Sequence, residues 1–185
     1  MGNRSSEEFA MRKAITTWGR ERFNDARIVH ELVVSSARRL DMAFIGPDYL
    51  VGVEIKSSKD TLDRLDDQMQ CFSTCVPLTI LAVAPKWERS VGQWVNVENF
   101  VVDPSGDIPV RGHSHFRYDR AMTVPLLSHL WARELRDVAN RLRISTPRRA
   151  TMRQNIADIA RHATGNEILR EVCRELRARD AFPKA

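Results

Sequence analysis

The stretch LDMAFIGPDYLVGVEIKS, residues 40–57, constrains the fold more than any other part of the chain. Two apolar, strand-like runs are separated only by Gly46-Pro47-Asp48, a tight hairpin signal, so the second run folds back beside the first. Each run carries a carboxylate. Asp41 interrupts the apolar pattern of the first run, and Glu54 ends the apolar part of the second. With a turn at residues 46–48, position 41 faces roughly position 53 or 54, so Asp41 and Glu54 come within reach across adjacent strands. Glu54 and Lys56 are two residues apart and leave the same face of their strand. Three charged side chains therefore converge at one end of an apolar sheet.

The surrounding sequence supplies the rest of an α/β domain. Ser5-Ser6-Glu7-Glu8 reads as a capping box, and Phe9, Met11, Ala14, Ile15 and Trp18 follow at helical spacing. The expected helix runs from about residue 6 to 18 and stops near Gly19. RIVHELVVS is a β-branched strand before the hairpin. Asp60 is a candidate cap for a helix in which Leu62, Leu65, Met69 and Phe72 recur. PLTILAVAP has the unbroken apolar character of a strand buried on both faces, and it completes a βαβ crossover. NFVVDPSGDIPVRG reads as a peripheral hairpin. From Pro125 onward three helices are expected, VPLLSHLWARELRDVANRL, RRATMRQNIADIARHA and NEILREVCRELRARDA, with Thr146 as N-cap before Pro147. The order predicts a mixed sheet flanked by helices, with a core over residues 1–120 and a helical extension over 121–185.

Burying the three charged groups is costly unless they are paired or bind metal. Two carboxylates with nearby carbonyls match the hard oxygen ligands that Mg²⁺ prefers. A lysine beside them can orient or deprotonate a water and offset charge on a phosphate under attack. These are the requirements of phosphodiester hydrolysis. Glu-x-Lys alone is a frequent pair on a solvated strand. Its setting here is more specific, with an Asp one hairpin upstream and an apolar strand leading in.

The segment RRLDMAFIGPDYLVGVEIKSSKDTLDRLDDQMQCF resembles the core of the PD-(D/E)XK nuclease superfamily. More narrowly, it resembles a bacterial and phage branch that reads Arg-x-Asp, a hairpin, Glu-Ile-Lys-Ser, Asp-Thr-Leu-x-Arg-Leu, then Gln and an aromatic. The matching residues are Arg39, Asp41, Glu54, Ile55, Lys56, Ser57, Asp60, Thr61, Leu62, Arg64, Leu65, Gln68 and Phe72. The resemblance covers about 35 residues and is looser in the flanks. Phe72 stands where exonuclease-like members carry Tyr.

The resemblance implies a restriction-endonuclease-like sheet and an Mg²⁺-dependent endonuclease, with Mn²⁺ able to substitute. Its setting would be DNA repair, recombination or conflict between phage and host. Asp41, Glu54 and the Ile55 carbonyl would hold the metal, and Lys56 would be the catalytic lysine. Glu31, in the strand neighbouring Asp41, is a candidate further ligand or an ordinary exposed residue. Gln68, a further candidate catalytic residue, and Arg64 lie one helical turn apart and both could face the site, and Arg64 and Ser57 are candidate DNA contacts. Arg64 has Asp60 and Asp67 as alternative partners. A nucleic-acid-binding module of the same fold without catalysis is the competing function, and two-strand cleavage by this fold often calls for a homodimer.

Charge is divided along the chain. Residues 111–185 carry 16 Lys+Arg against 8 Asp+Glu, whereas residues 1–110 carry 13 against 16. Fifteen of the 16 basic residues in the tail are Arg, whose planar fork suits phosphate oxygens. Arg148, Arg149 and Arg153, with Arg141 and Arg143, are thus candidate nucleic-acid contacts. The alternative is local ion pairing with Glu134, Asp137 and Asp158. Cys71, Cys75 and Cys173 make no zinc-like cluster, and Cys71 and Cys75 read as packing residues. His113 and His115 fit a surface loop better than a metal site. Trp87 and Trp94 are cover residues or stacking platforms for bases. No run of apolar residues approaches a membrane span, and the N-terminus lacks a secretory pattern, so a cytoplasmic protein is expected.

Overall fold

A computed structural model describes residues 6–35, 38–105 and 122–180. Its elements are α1 (Ser6–Arg22), β1 (Arg27–Ser35), β2 (Arg38–Ile45), β3 (Leu50–Lys56), α2 (Leu65–Cys75), β4 (Leu78–Val83), β5 (Val97–Val101), α3 (Thr123–Leu127), α4 (Ala132–Arg141), α5 (Met152–His162) and α6 (Gly165–Ala178). The five strands form one mixed sheet in sequential order. β1, β2 and β3 pair antiparallel, as the short Gly46-Pro47-Asp48 turn requires. β3, β4 and β5 pair parallel, because α2 carries the chain back between β3 and β4. Every residue of β4 is buried, as its unbroken apolar run demands.

Helices cover both faces. On one face Met11, Ala14 and Ile15 of α1 pack with Met42, Phe44, Val53, Ile80 and Phe100. On the other, Leu65, Met69 and Phe72 of α2 share one continuous core with α3 to α6 and with Leu40, Ala43, Leu81 and Val83. The last helix is pinned by a buried ion pair. Arg179 donates to both carboxylate oxygens of Glu134 and to the His129 carbonyl, and its guanidinium lies 4.3 Å over the Trp131 ring.

Several boundaries differ from the sequence expectation. Gly19 does not stop α1, which continues to Arg22. A Cβ at Gly19 would lie 2.1 Å from the Phe44 ring, so glycine serves here as a packing notch. Asp60 does not cap α2. Its carboxylate accepts from the Ser57 N–H and hydroxyl, both at 2.7 Å, and the helix opens only at Leu65. Thr146-Pro147 does not open α5 either, because Thr151 and Gln154 form a reciprocal capping box four residues on. The first tail helix is broken into α3 and α4, and the Glu134 carboxylate caps the Trp131 N–H at 2.7 Å. β5, the first half of the expected peripheral hairpin, joins the sheet parallel to β4. The expected Ser5 cap, the second half of that hairpin and the His113–His115 loop lie outside the described residues.

Because Phe44 is fully enclosed, Gly19→Ala should destabilise the protein despite a helix-propensity gain of about 1 kcal/mol. Overpacking costs about 1–3 kcal/mol, and an overlap this severe belongs at the upper end. A lowered thermal midpoint is the expected outcome, and an unchanged or raised one would show that Phe44 yields.

Candidate active site

The sheet changes phase at one level, and the site forms there. In β2, Leu40, Ala43 and Ile45 face the α2 side, whereas Met42 and Phe44 face α1. Strict alternation cannot place residues 40 and 43 on one face, so the strand slips between them. β1 slips likewise, since Val29, Leu32 and Val34 all face the α2 side. The slip in β1 is centred on Glu31, whose φ of 63° lies in the left-handed region that a non-glycine residue rarely adopts. The flanking pairs His30↔Met42 and Leu32↔Leu40 set Glu31 across from Asp41.

β2 and β3 part at the same level. Their last pair is Met42↔Val53, and one more step of that register would set Asp41 opposite Glu54. Instead, Asp41 Oδ2 accepts the Ile55 N–H at 2.8 Å. A side-chain carboxylate has taken the place of a backbone acceptor in the ladder. The Lys56 carbonyl accepts from Ala84 in β4, so residues 54 and 56 turn their main-chain groups toward β4. By alternation Ile55 turns its carbonyl toward the gap that Asp41 occupies.

Glu54, Lys56 and Gln68 form a closed triangle on the α2 side. Lys56 Nζ donates to Glu54 Oε1 at 2.8 Å and to Gln68 Oε1 at 2.9 Å, while Gln68 Nε2 donates to Glu54 Oε1 at 2.7 Å. Of the four expected side chains, Glu54, Lys56 and Gln68 thus bond one another, while Asp41 is held by the Ile55 N–H and Arg12. Burial pushes the Glu54 carboxyl up from its ordinary 4.5 to about 7, the Asp41 charge adds to this, and Lys56 and Gln68 oppose it. Burial also raises Asp41, against the lowering effect of Arg12 and the Ile55 N–H.

Arg12 is the residue that sequence reading missed. It is buried, and its Nη2 donates to Asp41 Oδ1 at 2.7 Å and to Glu31 Oε1 at 3.2 Å. Its Nη1 donates to the Asp41 carbonyl at 2.7 Å, and its Nε to Glu8 Oε1 at 2.9 Å. A signal existed: Glu8, Arg12, Ile15 and Gly19 recur at helical spacing, so Arg12 lies on the face that α1 buries. Glu31 also pairs with Arg39.

Other expected residues are placed less directly. Ser57, a candidate nucleic-acid contact, is buried, and its hydroxyl is committed to Asp60. Arg64 is exposed at the N-terminus of α2, and Asp67 pairs with Arg38 at 3.6 Å instead. Trp87 is a cover residue that donates its indole N–H to the Ser57 carbonyl at 2.9 Å, fixing the loop after β3. Cys71 and Cys75 pack on α2, and burial pushes the Cys75 thiol up to about 11. In the tail, Arg141 is spent on Glu171 and Glu175, whereas Arg148, Arg149 and Arg153 are exposed. A cleft of about 590 Å³ between the β2–β3 hairpin and α6 is lined by Pro47, Arg170, Arg174 and Arg177. The hairpin lies at the other end of β3 from Lys56, roughly 20 Å away along the strand.

The donor set at the gap suits a hard divalent cation. Both Lys56 and Gln68 use Glu54 Oε1, so Oε2 is bonded by neither, and Asp41 stands in the gap toward which strand alternation turns the Ile55 carbonyl. Among the described residues, no three His, Cys, Asp or Glu side chains gather closely enough to hold an ion by themselves. A cation here would share two carboxylates with main-chain oxygen and water. No helix among the described residues is long and apolar enough to cross a membrane.

The chain belongs to the bacteriophage P4 protein cII family, which it matches over residues 2–182. Protein cII of Enterobacteria phage P4 is 37% identical over 81 residues, 43% of this chain, and the chain spans about 30% of that relative's length. A protein of unknown function from Silicibacter pomeroyi aligns over 81% of this chain and 100% of its own, at 15% identity and a TM-score of 0.47.

The raised carboxyl of Glu54 gives a pH signature. Because its folded value lies above its unfolded one, the folded state holds the proton more tightly. The associated stability is present below about 4.5 and is lost as pH rises through about 7. Metal-free protein should therefore lose stability across that window more steeply than Glu54→Gln. Parallel pH–stability curves would refute the assignment.

Proposed function

We propose that this member of the phage P4 cII family is a metal-dependent nuclease that hydrolyses phosphodiester bonds in DNA. The observation that carries this reading is the Glu54–Lys56–Gln68 triangle standing beside Asp41 where β2 and β3 part. Asp41, Glu54 and the Ile55 carbonyl would hold Mg²⁺ or Mn²⁺, which supplies polarisation of the scissile phosphate and acidification of a water. Lys56 keeps a donor beyond the two used on Glu54 and Gln68. It can orient the attacking water and offset charge on the phosphate. Gln68 holds the lysine and the carboxylate in mutual register. Glu31 faces Asp41 but is engaged by Arg12 and Arg39, so its part is to fix the strand kink and the local charge.

Arg148, Arg149 and Arg153, exposed at the start of α5, supply a basic surface for the phosphate backbone. A second reading, a nucleic-acid-binding module of this fold without hydrolysis, is favoured by one observation. Arg12 already occupies one oxygen of Asp41.

Incubation with linear, supercoiled, single-stranded and branched DNA, and with RNA, in Mg²⁺, Mn²⁺ or EDTA separates the two. Cleavage that EDTA abolishes and Lys56→Ala lowers by about 10²–10⁴-fold supports the nuclease. Gln68→Ala should cause a smaller loss. Binding without cleavage under every condition supports the module.

For the surface, neutralising Arg148, Arg149 and Arg153 together should flatten the dependence of log affinity on log salt by up to about three units. Sequence preference should be unchanged, since phosphate contacts carry no base information. A salt slope equal to that of the wild type removes these residues from the interface.

A further inference from the structure

Arg12 has an arrangement that a merely structural arginine does not need. One guanidinium engages three carboxylates, Glu8, Glu31 and Asp41, together with the Asp41 carbonyl. It does so from a buried position on α1. Arg39 also pairs with Glu31, and Lys56 pairs with Glu54 alongside.

Resting on the metal-dependent reading above, we infer that Arg12 competes with the divalent cation for Asp41, acting as a positioning residue that sets the affinity of the site. Asp41 Oδ2 is held by Ile55, so Oδ1 is the oxygen with freedom to change partner, and Arg12 Nη2 sits on it at 2.7 Å. A guanidinium so close to a ligand oxygen repels a second cation and weakens its binding. The arginine has somewhere to go on leaving Asp41. Nε stays on Glu8 at 2.9 Å, and Nη2 is already 3.2 Å from Glu31. The strained backbone of Glu31 holds that second acceptor in place opposite Asp41. Without a cation, Arg12 keeps Glu8, Glu31 and Asp41 from repelling one another and so preserves the parted strands. Once a cation is bound, that duty passes to the ion.

The test is Mn²⁺ affinity, with the Mn²⁺-induced change in thermal midpoint, in wild type, Arg12→Gln, Arg12→Lys and Asp41→Asn. Arg12→Gln should be less stable in EDTA, bind Mn²⁺ about tenfold or more tightly than wild type, and gain a larger rise in midpoint. Arg12→Lys, with a single point charge that cannot reach four acceptors, should fall between the two, and it decides the matter if the glutamine variant is not recovered folded. Adding Asp41→Asn should erase the gain. Binding in Arg12→Gln but not in wild type also supports the inference. Wild-type binding with equal or weaker binding in the Arg12 variants overturns the competition and leaves the metal site standing. Absence of Mn²⁺ binding in every variant overturns the metal-dependent reading itself. A structural arginine would move the midpoint in EDTA without enlarging the cation-induced rise.

Discussion

The structure turns on a backbone hydrogen bond that a side chain has taken over. Where β2 and β3 should exchange another ladder bond, Asp41 Oδ2 receives the Ile55 N–H. That substitution opens the sheet without leaving a buried donor unpaired, which would cost about 1–3 kcal/mol. By strand alternation it also turns the Ile55 carbonyl toward the gap beside Asp41. The kink at Glu31 follows from the same slip, because β1 must change phase at the level where β2 does. The surrounding apolar packing on both faces holds this irregular level in place, from Met11 and Ile15 on one side to Met69 and Phe72 on the other.

Burial makes the opening electrostatically demanding. Glu54 is 4% exposed, and Lys56 and Gln68 do not fully offset its desolvation. Asp41 is relieved by Arg12, yet remains raised. Nearby positive charge favours the ionised form of both carboxyls, as Lys56 does at Glu54 and Arg12 at Asp41. The same physics explains why Arg12 is buried at all. A guanidinium inside α1 is tolerable because each of its nitrogens meets an acceptor.

The hairpin and the antiparallel pairing of β2 with β3 were legible from local rules, because a three-residue turn fixes register. The pairing stops at Met42↔Val53, however, one step short of the expected Asp41–Glu54 pair. The buried β4 was legible from its run of apolar residues, and the shared face of Glu54 and Lys56 from a period of two on the strand. What local rules could not show are the choices that tertiary packing makes. Gly19 resembles a helix stop until the Phe44 ring is seen to fill the space its side chain would need. Asp60 resembles a helix cap until Ser57 takes its carboxylate. Thr146-Pro147 resembles a helix start until Thr151 and Gln154 supply a reciprocal cap. Arg12 was hidden because its partners lie 19 and 29 residues away as well as one turn back.

Under the proposed function, Asp41, Glu54 and the Ile55 carbonyl form one cation site, which anomalous diffraction from crystals equilibrated with Mn²⁺ would reveal. The expected result is an anomalous peak within about 2.5 Å of an oxygen from each of these three residues, with Arg12 withdrawn from Asp41 Oδ1. A protein that binds Mn²⁺ only elsewhere, or that keeps Arg12 on Asp41 with no peak in the gap at saturating Mn²⁺, would contradict it.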